Sequence, residues 1–166
     1  MNQVNMGATY VVELFDKRTG VVLHRDVAKN LVPTEGLNAM ANILFAGAAA
    51  PANLYIGLYG ADYTPLPTVT AATLPALAGE ITDYEQASRV LFVPDAVVAG
   101  AILNTANKAE FSFAAPDQVY GAFMSTNSTK GGTTGTLFSA VKFPTVKNVD
   151  ADLALRVHAG FQFLSI

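Results

Sequence analysis

The chain has 166 residues, enough for one domain with a real core and short for two. It contains no cysteine, which excludes disulfides, thiolate chemistry and cysteine-bound metals. Its net charge of −3, with 14% charged and 51% hydrophobic residues, leaves no basic patch for a nucleic-acid backbone and points instead to a subunit that is covered in an assembly.

Met1–Gly7 carries no charge and no β pattern, and is read as an N-terminal arm before a single β-sandwich domain over residues 8–166. It lacks a basic start followed by an apolar run, so no signal peptide is expected. Ala8–Phe15 is β-rich, with Tyr10, Val12 and Leu14 on one face. A polar turn, Asp16 to Gly20, leads into Val21–Arg25, which predicts a hairpin. One helix is predicted near residues 34–46, with Thr34 as N-cap and Glu35 in the first turn. Leu37, Met40, Ala41 and Leu44 make its apolar stripe, and Gly47 ends it.

No charged residue stands between Glu35 and Asp62, but Pro51 and Asn53 interrupt that stretch, so a membrane span is not expected. Leu54–Tyr59 reads as a buried strand. Gly60 to Gly79 holds Pro65, Pro67 and Pro75, which forbid a central strand; its length marks it as a binding loop, with at most a helical turn near residues 71–78. Strands are expected at Arg89–Val93, Val97–Leu103, Ala109–Ala114 and Val119–Ser125. A Ser/Thr/Asn/Gly loop runs to Gly135, and a further strand runs from Thr136 to Phe143, stopped by Pro144. The last strand alternates strictly, with Leu153, Leu155, Val157, Ala159, Phe161 and Phe163 on one face and Ala154, Arg156, His158, Gly160 and Gln162 on the other. About nine strands with one helix predict an all-β fold, an antiparallel β-sandwich or jelly roll.

No chemical motif in the sequence is complete. His24 and His158 sit alone on polar strand faces, short of the three convergent ligands a zinc site needs. Asn148, Asp150 and Asp152 have calcium-loop spacing, but Leu153 and Ala159 stand where that loop needs Gly and Glu. Lys130-Gly131-Gly132-Thr133-Thr134 inverts the order of a phosphate loop, and no Gly-x-Ser-x-Gly elbow is present. No metal, cofactor or enzymatic activity is expected.

Three stretches carry a resemblance: KNLVPTEGLN over Lys29–Asn38, NLYIGLYGADYTPLP over Asn53–Pro67, and VYGAFMSTNSTKGGTTGTLFSAVKF over Val119–Phe143. Together they resemble a group of small tailed-bacteriophage virion proteins similar to capsid decoration, or cement, proteins. The resemblance implies a β-sandwich subunit on the exterior of the virion, made in the host cytoplasm and bound to the major capsid protein lattice. It also implies a homo-oligomer, a trimer being favoured by the local threefold positions of capsids, with no membrane partner. Candidate capsid-binding residues are Met1, Asn2 and Gln3 in the arm and Tyr63, Pro65, Leu66 and Pro67 in the proline loop, because a scaffold positions loops for binding. The Ser125–Gly135 loop is a third candidate element. Two other readings stay open. One is a neck, tail or receptor-binding fibre component. The other is a carbohydrate-binding β-sandwich using Tyr55, Tyr59, Tyr63 and Tyr84 as platforms. Since no structural metal is expected, melting curves with and without EDTA should coincide. A drop of several degrees on chelation would restore Asn148–Asp152 as a cation loop.

Overall fold

The computed structural model describes residues 4–165. In chain order it contains β1 (Val4–Asp16), β2 (Val22–Lys29), α1 (Thr34–Phe45), β3 (Tyr55–Tyr59), α2 (Leu74–Ala78), β4 (Val90–Leu91), β5 (Ala101–Leu103), β6 (Ala109–Phe111), β7 (Asp117–Ser125), β8 (Leu137–Val149) and β9 (Leu153–Ser165). Every strand pairing is antiparallel. One sheet runs β2-β1-β9-β5, with β6 also on β9; the other runs β4-β3-β7-β8. The fold is therefore an all-β sandwich-like architecture, as the alternation predicts.

The longest ladder joins β1 to β9, from Val4 opposite Ser165 to Asp16 opposite Leu153. Val4 to Gly7 thus belong to the sheet rather than to a free arm, because β9 continues far enough to satisfy their backbone. Met1, Asn2 and Gln3 lie outside the described residues. On the other side of β9, β5 and β6 leave a gap. There the buried Asn104 side chain accepts the Ala159 N–H at 2.8 Å, in place of a neighbouring strand.

The two sheets close on a common core. Tyr10 and Val12 of β1 and Val157, Ala159 and Phe161 of β9 cluster with Ile56, Leu58, Ala122, Met124, Val141 and Phe143 of the second sheet. The Tyr10 hydroxyl and Ser139 Oγ lie 2.7 Å apart across this core. A second tie sits at the sandwich edge. The buried Lys147 ammonium of β8 donates to the Asp26 carboxylate of β2, to Thr145 Oγ1 at 2.6 Å and to His24 Nδ1 at 3.0 Å. Burial alone would raise the Asp26 carboxyl; the bonds from Lys147 and Thr145 outweigh it and hold the group below the usual carboxylate range.

Two strand expectations are corrected. Pro144 does not stop β8, which continues to Val149. Val119 pairs with Lys147 and Gly121 with Lys142, so Pro144 sits in a bulge where its missing N–H costs no ladder bond. Val97–Leu103 is not one strand either. Val98 and Ala101 bond each other around Ala99 (φ +50°) and Gly100 (φ +75°), a tight turn between short arms.

β9 holds its alternation with exceptions at its margins. Leu155, Val157 and Ala159 are fully buried, whereas Phe163 is 41% exposed because the core ends before it. The opposite face is partly covered. Ala154 is buried, the Arg156 guanidinium lies 3.8 Å over the Phe15 ring, and Lys108 reaches the Glu13 carboxylate at 2.8 Å. Phe161 is part of the core cluster and Gln162 is exposed. Phe161→Ala should therefore lose about 3–5 kcal/mol in urea unfolding. Gln162→Ala should change little; equal losses would mean that both faces of β9 are buried.

Candidate interaction surface

The proline segment between β3 and β4 starts from two backbone bonds, Gly60 N–H to Gly79 O at 2.8 Å and Ala61 N–H to Ala78 O at 2.9 Å. Between them the chain folds back on the second sheet. Val69, Ala71, Leu74 and Ala78 are buried against Tyr59, Phe123, Leu137 and Ala140. The short α2 carries Pro75 in its first turn and ends at Gly79 (φ +61°). The Tyr59 hydroxyl donates to Val141 O at 2.7 Å and crosses β7 at Gly121, where any Cβ would collide with the Tyr59 ring. So the segment expected to be a free binding loop is a packed lid. A long segment rich in small apolar residues can build its own small core, and here it covers the outer face of β3, β7 and β8.

This changes the standing of the four loop residues predicted to bind. Tyr63 is half-buried, edge-on to Tyr59 with ring centroids 6.4 Å apart, and Pro65 is half-buried too. Leu66, at 56% exposure, and Pro67 lie on the rim. Pro67 O accepts the Thr34 N–H at 2.9 Å, which fixes the rim beside the first turn of α1.

α1 forms where the sequence places it, but its cap and its face differ. Pro33 occupies the N-cap and gives no side-chain cap bond. Glu35 turns into the body instead. Its Oε2 accepts the Ala71 N–H of the lid and the Leu137 N–H of β8, both at 2.8 Å. Gly36 lies directly on β8, where a Cβ would meet Leu137 O at 2.8 Å and Phe138 O at 2.9 Å. That contact rotates the packed face by one residue. Ala39, Met40 and Ile43 follow Gly36 against the core, while Leu37, Ala41 and Leu44 point outward. Leu37 is 46% exposed, Leu44 64% and Phe45 88%.

A buried ion pair holds the remaining loops. The Arg89 guanidinium donates to both Glu80 oxygens, from Nε at 2.8 Å and Nη2 at 2.7 Å. Its other N–H groups reach Ser125 Oγ at 3.1 Å, Asn127 O at 3.0 Å and Gly132 O at 2.9 Å. Phe123 lies under it, 4.9 Å from ring centroid to guanidinium carbon. The Ser125–Gly135 loop is thereby ordered from beneath. It is closed above by Lys130, which donates to Thr82 O at 2.9 Å and Tyr84 O at 2.6 Å.

The other sequence candidates find structural places. Tyr59 and Tyr84 are buried, and Tyr55 and Tyr63 half-buried, so the four tyrosines form no open aromatic platform. Asp150 Oδ1 accepts the N–H groups of Asp152 at 2.8 Å and Leu153 at 2.9 Å, a turn that feeds β9. His24 leans on Lys147. His158 lies on the outer face of the β1–β9 sheet, where burial first and then the nearby Lys108 charge push its imidazole below the ordinary value. Among the described residues no three His, Asp or Glu side chains converge to hold a metal ion, and no helix is long and apolar enough to cross a membrane.

No protein-family model matches the chain, and no curated protein matches its sequence. Glu35, Glu80 and Arg89, none of which the sequence singles out as a site, make the lid, the helix and the Ser125–Gly135 loop one rigid face. Leaving a buried carboxylate without its guanidinium is costly. Arg89→Met should lose about 3–5 kcal/mol in urea unfolding, and Glu80→Leu added to it should restore part of that loss. A neutral Arg89→Met would show that the loops stand without the pair.

Proposed function

We propose that this protein is a structural virion subunit that decorates and stabilises a bacteriophage head by binding the lattice of the major capsid protein. The observation that carries the reading is where the three resembling stretches lie. Lys29–Asn38 brings in the start of α1, Asn53–Pro67 brings β3 and the lid rim, and Val119–Phe143 brings β7, its loop and β8. Glu35 and the Tyr59–Gly121 crossing draw them into one region. The three stretches thus meet in one region, many of their side chains in the core, whose outward face carries Leu66 and Pro67.

That face suits a lattice contact. A pre-ordered rim loses little entropy on docking, and the prolines of the lid reduce the loss further. A subunit that binds only the assembled lattice stabilises it by its own binding free energy at every site it fills. The homo-oligomer expected from the resemblance, a trimer at local threefold positions, would add avidity without new contacts. Leu66 and Pro67 on the rim are the contacts of this reading, with Tyr63 and Pro65 supporting them from below.

Co-sedimentation with undecorated heads tests it. The intact protein should pellet with heads, in copy number on the scale of the capsid protein. Leu66→Asp should weaken binding about tenfold or more, the loss expected for one buried leucine, with an unchanged melting curve. No binding to heads by the intact protein, with a few copies per particle, would favour the neck or tail reading.

A further inference from the structure

We infer that the free edge of β2 receives an extended, acidic segment of another protein as an added strand. This concerns the chain by itself and does not depend on the virion reading. β2 is the outermost strand of its sheet, with β1 on one side. The Asn30 N–H donates to Ala8 O at 3.0 Å, and Lys29 stands opposite Thr9. Bonded and non-bonded pairs alternate along an antiparallel ladder. So His24, Asp26 and Ala28 spend their backbone groups on β1, whereas Arg25, Val27 and Lys29 turn theirs outward. Among the described residues nothing bonds those outward N–H and C=O groups. β8 lies nearby, but it reaches this stretch through the side chains of Lys147 and Thr145 on the Asp26 carboxylate. All three outward residues are exposed.

A row of unpaired backbone groups sets the shape of the partner: an extended chain that exchanges bonds at alternate residues. The side chains around the row set its charge. Lys17, Arg18, Arg25 and Lys29 are all exposed, in a chain whose net charge is −3. The acids beside them are committed to internal bonds. Asp16 Oδ1 accepts the Thr19 N–H at 2.7 Å, and Asp26 holds Lys147 and Thr145. Glu13 is gripped by Lys108 at 2.8 Å and lies 3.6 Å from Arg25, whose side chain stays 52% exposed.

These cations choose between occupants. A second copy of β2 would bring the same charges against this edge, which opposes self-addition. An acidic strand meets them with the opposite sign. Directly opposite residues share a face of the sheet. The fitting segment therefore places acids across from Arg25 and Lys29, and an apolar residue across from the open Val27.

Amide-resolved NMR with a capped peptide, Thr-Glu-Thr-Val-Thr-Glu-Thr, tests the inference. In the free protein the amides of Arg25, Val27 and Lys29 should exchange with solvent about tenfold or more faster than those of Asp26 and Ala28. Peptide at millimolar concentration should slow the first set and shift their signals. Lys in place of both Glu should abolish the response. N-methylation of the peptide valine should weaken binding about fivefold or more, the loss of one strand bond. Arg25→Glu combined with Lys29→Glu should weaken it about tenfold or more and remove its salt dependence. Val27→Pro deletes an outward N–H and no bond to β1, so it should fold and fail to bind. If that variant does not fold, the N-methyl peptide and the charge reversal decide instead. Absence of any response to the Glu peptide overturns the inference, as does an equal response to the Lys peptide or an unchanged affinity after charge reversal. A homodimer that protects the same three amides would give the edge to a second copy and overturns it too.

Discussion

The structure hangs on the environment of Arg89. A guanidinium carries five N–H groups and cannot lose its charge, so burying one demands five acceptors. The fold supplies them from four places: Glu80 just past the lid, Ser125 at the end of β7, and Asn127 and Gly132 in the loop beyond it. Only Glu80 balances the charge. The backbone carbonyls come from segments too rich in Gly, Ser and Thr to hold a conformation by apolar packing. The pair need not add much net stability over an apolar substitute. What it does is make one arrangement of three irregular segments far better satisfied than any other.

Glu35 repeats that logic on a smaller scale. One carboxylate oxygen accepts N–H groups from the lid and from β8, while its own helix packs by Gly36 on the β8 backbone. The outward faces of lid and helix follow from these inward contacts. Leu66 and Phe45 stand in water because the residues beside them are committed to the interior.

The regular strands were legible because their alternation maps directly onto burial; Leu155, Val157 and Ala159 show it plainly. The helix was legible in extent but not in rotation. Residues 37, 40, 41 and 44 and residues 36, 39, 40 and 43 share one spacing, and hydrophobicity favours the first set. The second set wins because Gly36 permits a backbone contact that no side chain could make, and a glycine adds nothing to an apolar pattern. The packing of the lid is hidden from the sequence for a related reason. Prolines mark a segment as irregular, which is correct, but irregular is not the same as unpacked. Arg89 and Glu80 left no signal, since nine residues of separation along a loop imply no shared geometry. The missing N–H of Pro144 predicts a strand end, and a bulge in β8 absorbs it.

The ladder between β1 and β9 has a consequence for biosynthesis. β1 is an interior strand of its sheet, yet the neighbour that completes it is the last strand in order: Val12 waits for Val157. Until residues 153–165 have left the ribosome, β1 has no strand partner but β2, and a two-stranded hairpin is marginally stable in water. The first sheet therefore closes only once β9 is available, in a slow step dominated by distant contacts. During that interval the β9-facing edge of β1 is open to any extended chain nearby. A protein built this way depends on temperature and folding helpers during that interval more than on its final stability.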